Sequence, residues 1–163
     1  MKELPEFTIQ FFEEYHTTLD YDFDEERNYY FENRALKDSK TGNSRVRVAM
    51  TRDMQLVGFF TLSMKSKHFI YKGEKKTWSL ALLGQLAVNK PFRRLGIASY
   101  LVRKAIEISK EANEYYVACS GVVADVYGIG LVEGLYKKLG FEVVHHDEKK
   151  DLYWVFYPFS KDK

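Results

Sequence analysis

The sequence predicts a mixed α/β fold, in which a central, mixed β-sheet of about six or seven strands is flanked by about four helices. Two observations carry this prediction. Segments that alternate apolar and polar residues dominate the first half of the chain, and strand-like and helix-like segments alternate in the second half. A chain of 163 residues, 45% of them hydrophobic, can bury one core, so residues 1–163 are predicted to form a single domain.

The first half is predicted to be mainly β-structure. Residues 6–11 (EFTIQF) and 44–50 (SRVRVAM) place apolar side chains at every second position, as half-buried strands do. The charged segment between them begins near Asp24 and closes at Gly42, which predicts one or two helices. A tight turn at residues 52–53 then leads into a hairpin strand over residues 55–64.

The second half alternates between strands and helices. Residues 77–88 (TWSLALLGQLAV) follow a lysine-rich loop and are almost continuously apolar, which predicts a central strand buried on both faces. The remaining predicted elements are a helix over 96–112, a strand over 115–120, a helix over 130–140, and strands over 141–146 and 151–159. The aromatic last strand is either an ordinary edge strand or one that pairs with a second subunit, a possible homodimer.

Composition excludes several classes of protein. The single cysteine, Cys119, rules out an internal disulfide framework and a multi-cysteine metal site, and no metal site is predicted. It fits a reducing compartment, so a cytoplasmic protein is expected. The chain has no signal-peptide pattern and no apolar run long enough for a membrane span, so no membrane partner is expected. A net charge of +2 does not by itself predict nucleic-acid binding.

The segment LAVNKPFRRLGIASYLV, residues 86–102, carries the first functional signal. A helix start presents main-chain N–H groups without intrahelical partners and a partial positive charge, and both favour anions. Gly96 and Ala98 leave space for a phosphate to approach, while Arg93 and Arg94 add positive charge. The alternative is that Gly96 only permits close packing of the helix and that the arginines are ordinary surface charges.

Other signals are weaker. A Walker A loop and a three-glycine dinucleotide loop are excluded, because the residues they require are absent from this segment. Tyr136, in the segment LYKKLGFE, could act as a proton donor toward a strong leaving base, since a tyrosine has an ordinary pKa of about 10. Taken alone, Tyr136 is more simply a packing residue.

Together, these segments resemble the GNAT superfamily of acyl-CoA-dependent N-acyltransferases. The family signature is Gln or Arg, two residues, Gly, one residue, then Gly or Ala, and it matches Arg93, Gly96 and Ala98. The preceding LAVNKPF and the later LYKKLGFE also look like segments of this family. The resemblance covers residues 44–157 well and the N-terminal third in outline.

The resemblance implies a sheet splayed between its middle strands, with acetyl-CoA as co-substrate in the cleft. Tyr136 would protonate the coenzyme A thiolate, and the N–H of Val88 would stabilise the oxyanion. The pantetheine arm would pair with the strand that carries Leu86, Ala87 and Val88. The pyrophosphate would bind the main-chain amides of Arg94, Leu95, Gly96, Ile97, Ala98 and Ser99.

The sequence departs from the family at several positions. Ile129 and Val132 stand where an Asn and a small Ala are usual, and the segment before this helix, GVVADVYGIG, is longer than expected. Many members carry a Glu on the central strand as general base, whereas this chain has Gln85. Asp125 or Glu133 could serve through a water, although each is more simply a surface residue.

The resemblance implies direct transfer of an acetyl group to a primary amine of a small molecule or peptide. The missing base favours an amine of low pKa, such as an α-amino group at about 7.7–8.0 rather than a lysine at about 10.4. One alternative is a toxin-type GNAT that acetylates the α-amino group of aminoacyl-tRNA, with a basic surface supplied by Arg45, Arg47, Lys65, Lys67, Lys72, Lys75 and Lys76. The other is a non-catalytic acyl-CoA-binding sensor.

Overall fold

The computed structural model describes residues 3–160. Its strands are β1 (Phe7–Phe11), β2 (Arg45–Thr51), β3 (Leu56–Tyr71), β4 (Glu74–Val88), β5 (Gly121–Tyr127), β6 (Glu142–Asp147) and β7 (Leu152–Pro158). Its α-helices are α1 (Glu25–Asn33), α2 (Ala35–Thr41), α3 (Ile97–Tyr115) and α4 (Ile129–Leu131). Short 3₁₀ turns cover Glu14–Thr18, Lys90–Phe92 and Lys137–Leu139, and a π-helical segment covers Val132–Tyr136.

The strands form one mixed sheet in the order β1-β2-β3-β4-β5-β7-β6. The pairs β1–β2, β2–β3, β5–β7 and β6–β7 are antiparallel. The β4–β5 pair is parallel, and its register runs from Ala81 opposite Val122 to Leu83 opposite Ala124. The prediction of an open, mixed sheet with helices on an α/β plan is therefore confirmed.

Contacts divide the described chain into two compact units. The first comprises residues 3–63 and 85–101, and the second comprises residues 64–84 and 102–160. β3, β4 and α3 each contribute residues to both units. The prediction that residues 1–163 behave as a single domain stays a prediction.

The first unit has an aromatic core. Asp24 caps α1, because its carboxylate accepts the Arg27 N–H at 2.9 Å, and Gly42 ends α2 in a left-handed conformation with φ of +77°. Burial of apolar area against the strands stabilises these short helices. The fully buried rings and aliphatic side chains of this core include Phe23, Phe31, Phe59, Val48, Met50 and Leu56.

The second unit has a separate cluster. Its buried members are Phe69, Trp78, Leu80, Val123 and Phe156. The Trp78 ring stacks on Phe69 with centroids 5.4 Å apart, and its indole N–H donates to the Phe69 carbonyl at 3.0 Å. The indole is therefore both packed and hydrogen-bonded, which removes the cost of burying a polar N–H group.

The predicted strand over residues 115–120 is wrong. α3 runs on to Tyr115, and the side chains of Tyr115, Tyr116 and Val117 are exposed. The strand instead comprises Gly121–Tyr127, which the sequence interpretation treated as part of an insert. Its valines and alanine are buried, so burial of these smaller side chains, rather than the run of aromatic residues, sets the position of the strand.

The prediction of a lysine-rich loop before this strand is also wrong. β3 and β4 form a long hairpin whose turn is Lys72–Gly73, with φ of +49° and +78°. Most of the lysines predicted to lie in the loop region lie on strands. β4 is also less buried than predicted over residues 77–88, because Thr77, Ser79 and Gly84 are exposed. Four further residues are half-buried: Leu82, Gln85, Leu86 and Val88.

The prediction that the last strand is an ordinary edge strand is wrong, and pairing with a second subunit stays a prediction. β7 lies inside the sheet between β5 and β6, so it is not an edge strand. At this end of the described sheet the edge strand is β6, most of whose residues are exposed. Among residues 3–160, no helix combines the length and the apolar character that crossing a membrane requires.

Candidate active site

The segment between β4 and α3, residues 89–96, is called here the β4–α3 turn. It contains two left-handed residues, Arg94 with φ of +65° and Gly96 with φ of +79°. α3 begins immediately afterwards at Ile97 and is 19 residues long. A helix start that follows left-handed residues clusters main-chain N–H groups, and such clusters bind phosphate oxygens.

The space beside Gly96 is open. A methyl group built at Gly96 meets no other heavy atom within 4 Å. Ile97 is 1% exposed and anchors the start of α3 in the core, whereas Arg94 and Gly96 are exposed. The main chain of the turn is therefore accessible while the residue that follows it is fixed, which is compatible with the predicted pyrophosphate site.

Arg93 contributes to the shape of the turn. Its guanidinium donates to the Val88 carbonyl through Nε at 3.2 Å and to the Phe23 carbonyl through Nη2. Its own N–H donates to the Lys90 carbonyl at 3.2 Å. The Arg93 side chain therefore bonds the turn to the end of β4 at Val88 and to the segment before α1 at Phe23. The role of Arg93 in binding the co-substrate stays a prediction.

The end of β4 carries the residues predicted to pair with pantetheine. Ala87 is buried at 6% exposure, while Leu86 and Val88 are half-buried. β3 approaches this segment closely at Gly58, where an added Cβ would lie 2.5 Å from the Ala87 carbonyl oxygen. Gly58 thus allows the main chain of β3 to lie against the segment of β4 on which the predicted site depends.

Tyr136 is the last residue of the π-helical segment Val132–Tyr136. Its side chain is 6% exposed, and its ring packs edge-to-face on Phe141 with centroids 5.2 Å apart. The Tyr136 carbonyl accepts the Phe141 N–H at 3.1 Å. π-helical turns are rare and occur often at functional sites, and this one is followed by a 3₁₀ turn that Gly140 ends with φ of +97°.

The structure places the candidate bases in ion pairs. The Asp125 carboxylate lies 3.0 Å from Lys67 Nζ, and the Glu133 carboxylate lies 2.7 Å from Lys137 Nζ. Gln85 differs from both, because its Oε1 atom is buried and no donor among residues 3–160 reaches it. Its main-chain N–H donates to the Thr61 hydroxyl at 2.8 Å.

Lys67 was expected on the basic surface, and this expectation is wrong. The residue is 9% exposed, and its ammonium group also lies 4.1 Å from the centroid of the Trp154 ring. Burial with a carboxylate and an aromatic face compensates the loss of water around the charge.

Sequence reasoning also missed Asn89, a polar residue that follows an apolar strand directly and is 4% exposed.

The structure therefore brings residues 86–99 together in the first unit, and it places Tyr136 with its ring contacts in the second. Cys119 is buried, and burial raises the pKa of its thiol, which disfavours the nucleophilic thiolate form. Among the described residues, no group of three or more histidine, cysteine or acidic side chains is arranged to hold a metal ion.

Similar solved structures share this fold. AtaT complexed with acetyl-methionyl-tRNAfMet is 19% identical with a TM-score of 0.77, covering 94% of this chain and 95% of that chain. A KacT mutant with tyrosine replaced by phenylalanine is 20% identical with a TM-score of 0.78, covering 93% and 94%. An AtaT mutant toxin bound to the C-terminus of the antitoxin AtaR and acetyl-CoA is 22% identical with a TM-score of 0.71, covering 93% and 92%.

The mixed seven-stranded sheet and its flanking helices define the fold that this chain shares with these solved structures. The chain belongs to the acetyltransferase (GNAT) family, because the model of that family matches residues 6–141. Its co-substrate is acetyl-CoA. Comparison with curated proteins finds no match.

Proposed function

We propose that this enzyme transfers the acetyl group of acetyl-CoA directly to a primary amine within a ternary complex. The observation that carries the proposal is the β4–α3 turn, where left-handed residues and open space beside Gly96 precede a long helix. The amides of residues 94–99 would bind the pyrophosphate, as anions bind at helix starts. Leu86, Ala87 and Val88 would pair with the pantetheine arm.

Two groups would act on the reacting atoms. The N–H of Val88 would stabilise the negative charge that develops on the thioester oxygen when the amine attacks. The Tyr136 hydroxyl would donate its proton to the sulfur as the carbon–sulfur bond breaks, so that coenzyme A leaves as the thiol. The attacking amine would release a proton to solvent as the amide forms, and the Tyr136 phenolate would regain one from solvent. The buried ring of Tyr136 and its contact with Phe141 support this assignment, because a fixed ring holds its hydroxyl in one direction.

The test is acetyl-CoA-dependent release of thiol with a panel of amines, comprising polyamines, amino acids, peptides and charged tRNA. At least one acceptor should give rapid release in the wild type and a much slower release in Tyr136→Phe. A chain that binds coenzyme A and releases no thiol with any acceptor would contradict the proposal.

A second candidate is acetylation of the α-amino group of aminoacyl-tRNA. Exposed lysines on the β3–β4 hairpin favour it: Lys65, Lys72, Lys75 and Lys76, accompanied by Glu74. Clustered lysines bind phosphate backbones, and one structure with the same fold is complexed with acetyl-methionyl-tRNAfMet. The pairing of Asp125 and Glu133 with lysines is consistent with an acceptor whose amine needs little help to lose its proton.

Growth arrest on expression that disappears in Tyr136→Phe would support this second candidate. Replacing Lys72 and Lys75 with glutamate should then weaken acetylation of charged tRNA and leave acetylation of a small amine unchanged. Normal growth of cells that express active enzyme would exclude it.

A further inference from the structure

A set of hydrogen bonds joins the start of the β4–α3 turn to residues 20–23, the segment that precedes α1. Asn89 lies at the centre of this set. Its Oδ1 accepts the Asp22 N–H at 2.8 Å, and its Nδ2 donates to the carbonyls of Leu56 at 2.8 Å and Asp20 at 3.3 Å. One buried side chain thus bonds three main-chain groups from two separate segments.

Two neighbours of Asn89 in the turn reach the same segment. The Lys90 N–H donates to the Asp22 carbonyl at 3.0 Å, and the Lys90 ammonium lies 2.7 Å from the Asp22 carboxylate. The Arg93 guanidinium donates to the Phe23 carbonyl. The turn is therefore attached to residues 20–23 at three points along its length.

The segment 20–23 is itself held by α1. Asn28 donates from Nδ2 to the Asp22 carboxylate at 3.2 Å and accepts the Phe23 N–H on Oδ1 at 2.8 Å. The hydrogen bonds from Lys90 and Asn28 lower the pKa of Asp22, so its carboxylate is charged at neutral pH. Since α1 packs on the aromatic core of the first unit, the turn is linked to a rigid support.

We propose that residues 20–23 and Asn89 form a brace that holds the β4–α3 turn in its coenzyme-binding conformation. Asn89 is then a positioning residue for acetyl-CoA. This inference rests on the proposed function, because it takes the turn as the pyrophosphate site. The φ of +65° at Arg94 is unfavourable for a residue with a side chain, and such a conformation persists where the surrounding structure holds it. Amides that are fixed before the ligand arrives bind it without the cost of ordering them.

Calorimetry with coenzyme A tests the brace directly. Asn89→Ala should raise the Kd for coenzyme A about tenfold, since it removes the three bonds that orient the turn. Asn89→Asp keeps the acceptor for the Asp22 N–H but places a buried carboxylate oxygen against the Leu56 and Asp20 carbonyls, so a rise at least as large as in Asn89→Ala is expected. In steady-state kinetics, the KM for acetyl-CoA should rise while kcat and the KM for the amine stay unchanged.

Two further variants separate positioning from general loss of stability. Tyr30→Phe removes a hydrogen bond of 2.8 Å from Tyr30 to Asp38 in the same unit, away from the turn, and should leave the Kd unchanged. Lys90→Met removes the exposed ion pair with Asp22 and keeps the main-chain bonds, so the chain should fold even where Asn89→Ala does not. Its Kd should rise about two- to threefold.

The outcomes are distinguishable. A wild-type Kd in every folded variant, Lys90→Met included, would refute the brace and leave the proposed function standing. If the Kd for coenzyme A rises equally in Tyr30→Phe, the effect is due to lost stability, and the brace is refuted in this case too. No binding of coenzyme A by the wild type would refute both proposals.

Discussion

The β4–α3 turn and the segment that carries Tyr136 are both short and irregular, and each is bounded by a left-handed glycine, yet different contacts hold them. Side-chain groups of Asn89 and Arg93 bond main-chain atoms in and around the turn. Tyr136 is held by the ring of Phe141 and by a π-helical main chain. Directional hydrogen bonds fix main-chain amides, whereas ring packing fixes the direction of a side chain. The hydrogen-bonded turn therefore suits the proposed binding of phosphates by main-chain amides, and the packed ring of Tyr136 suits the proposed donation of a proton by its hydroxyl.

The largest effect is expected from Tyr136→Phe. The variant keeps the ring and its contact with Phe141 but removes the proposed proton donor, so kcat should fall about a hundredfold or more. The Kd for coenzyme A should stay at the wild-type value. The matched control is Tyr71→Phe in the same unit, which loses the hydrogen bond of 2.9 Å to Glu142 and should retain full activity. Equal losses in the two variants would remove the catalytic assignment.

Gly96→Ala should have the next largest effect, this time on binding. The substitution strains a residue at φ of +79° and places a methyl group in the space that the phosphates would occupy, so the Kd for coenzyme A should rise at least about tenfold. Gly42→Ala is the control, because Gly42 has φ of +77° and open space as well but lies at the end of α2. If calorimetry shows an equal rise in Kd for both variants, backbone strain is responsible and the methyl group at position 96 has no special effect on binding.

Phe141→Leu should give a smaller loss of kcat, about tenfold, because the ring of Tyr136 loses its edge-to-face partner and its hydroxyl is less well oriented. Binding of coenzyme A should not change. Phe69→Leu removes another buried ring from the same unit without touching Tyr136, and it controls for loss of stability. If kcat falls equally in both variants, the contact between Phe141 and Tyr136 has no special role.

The smallest effect concerns His16, which is 0% exposed in the first unit. Its Nδ1 accepts the Glu13 N–H at 2.9 Å, and burial lowers the pKa of the imidazole below 6.5, although Glu13 opposes this shift. The unfolded chain therefore takes up a proton near pH 6.5 and the folded chain does so at a lower pH. The contribution of neutral His16 to the free energy of unfolding is complete above pH 6.5 and falls as the pH drops toward the folded pKa.

Urea unfolding between about pH 5 and about pH 8 measures this dependence. His16→Gln should flatten the acid side of the profile, because it removes the group whose pKa differs between the folded and the unfolded chain. An identical slope in His16→Gln and the wild type would show that other groups cause the acid sensitivity.

The sequence predicted the mixed sheet, one or two helices between Asp24 and Gly42, the long helix after Gly96 and the helical segment before Gly140. These elements begin or end at residues whose local chemistry is decisive, a capping carboxylate or a left-handed glycine. The strand Gly121–Tyr127 was missed because exposed Tyr115 and Tyr116 gave a stronger local signal than small buried residues. Exposure is a tertiary property, and the pattern of one segment does not contain it.

The candidate site was predictable in part for a similar reason. Gly96 belongs to a local motif, so it was visible in the sequence. Asn89 acts on Asp20 and Asp22, which lie nearly seventy residues away in the chain, and Lys67 is paired with Asp125 across a comparable separation. Pairings between distant segments follow from strand order, which local periodicity does not specify.

The position of β7 has a consequence for how the chain is made. β6 precedes β7 in the chain, but in the described sheet it pairs with β7, which separates it from β5. During synthesis, β6 therefore leaves the ribosome before the strand to which it will bind. Until residues 152–158 emerge, the edges of β5 and β6 that β7 will pair with have no partner strand, and we expect this interval to carry a risk of pairing with other nascent chains.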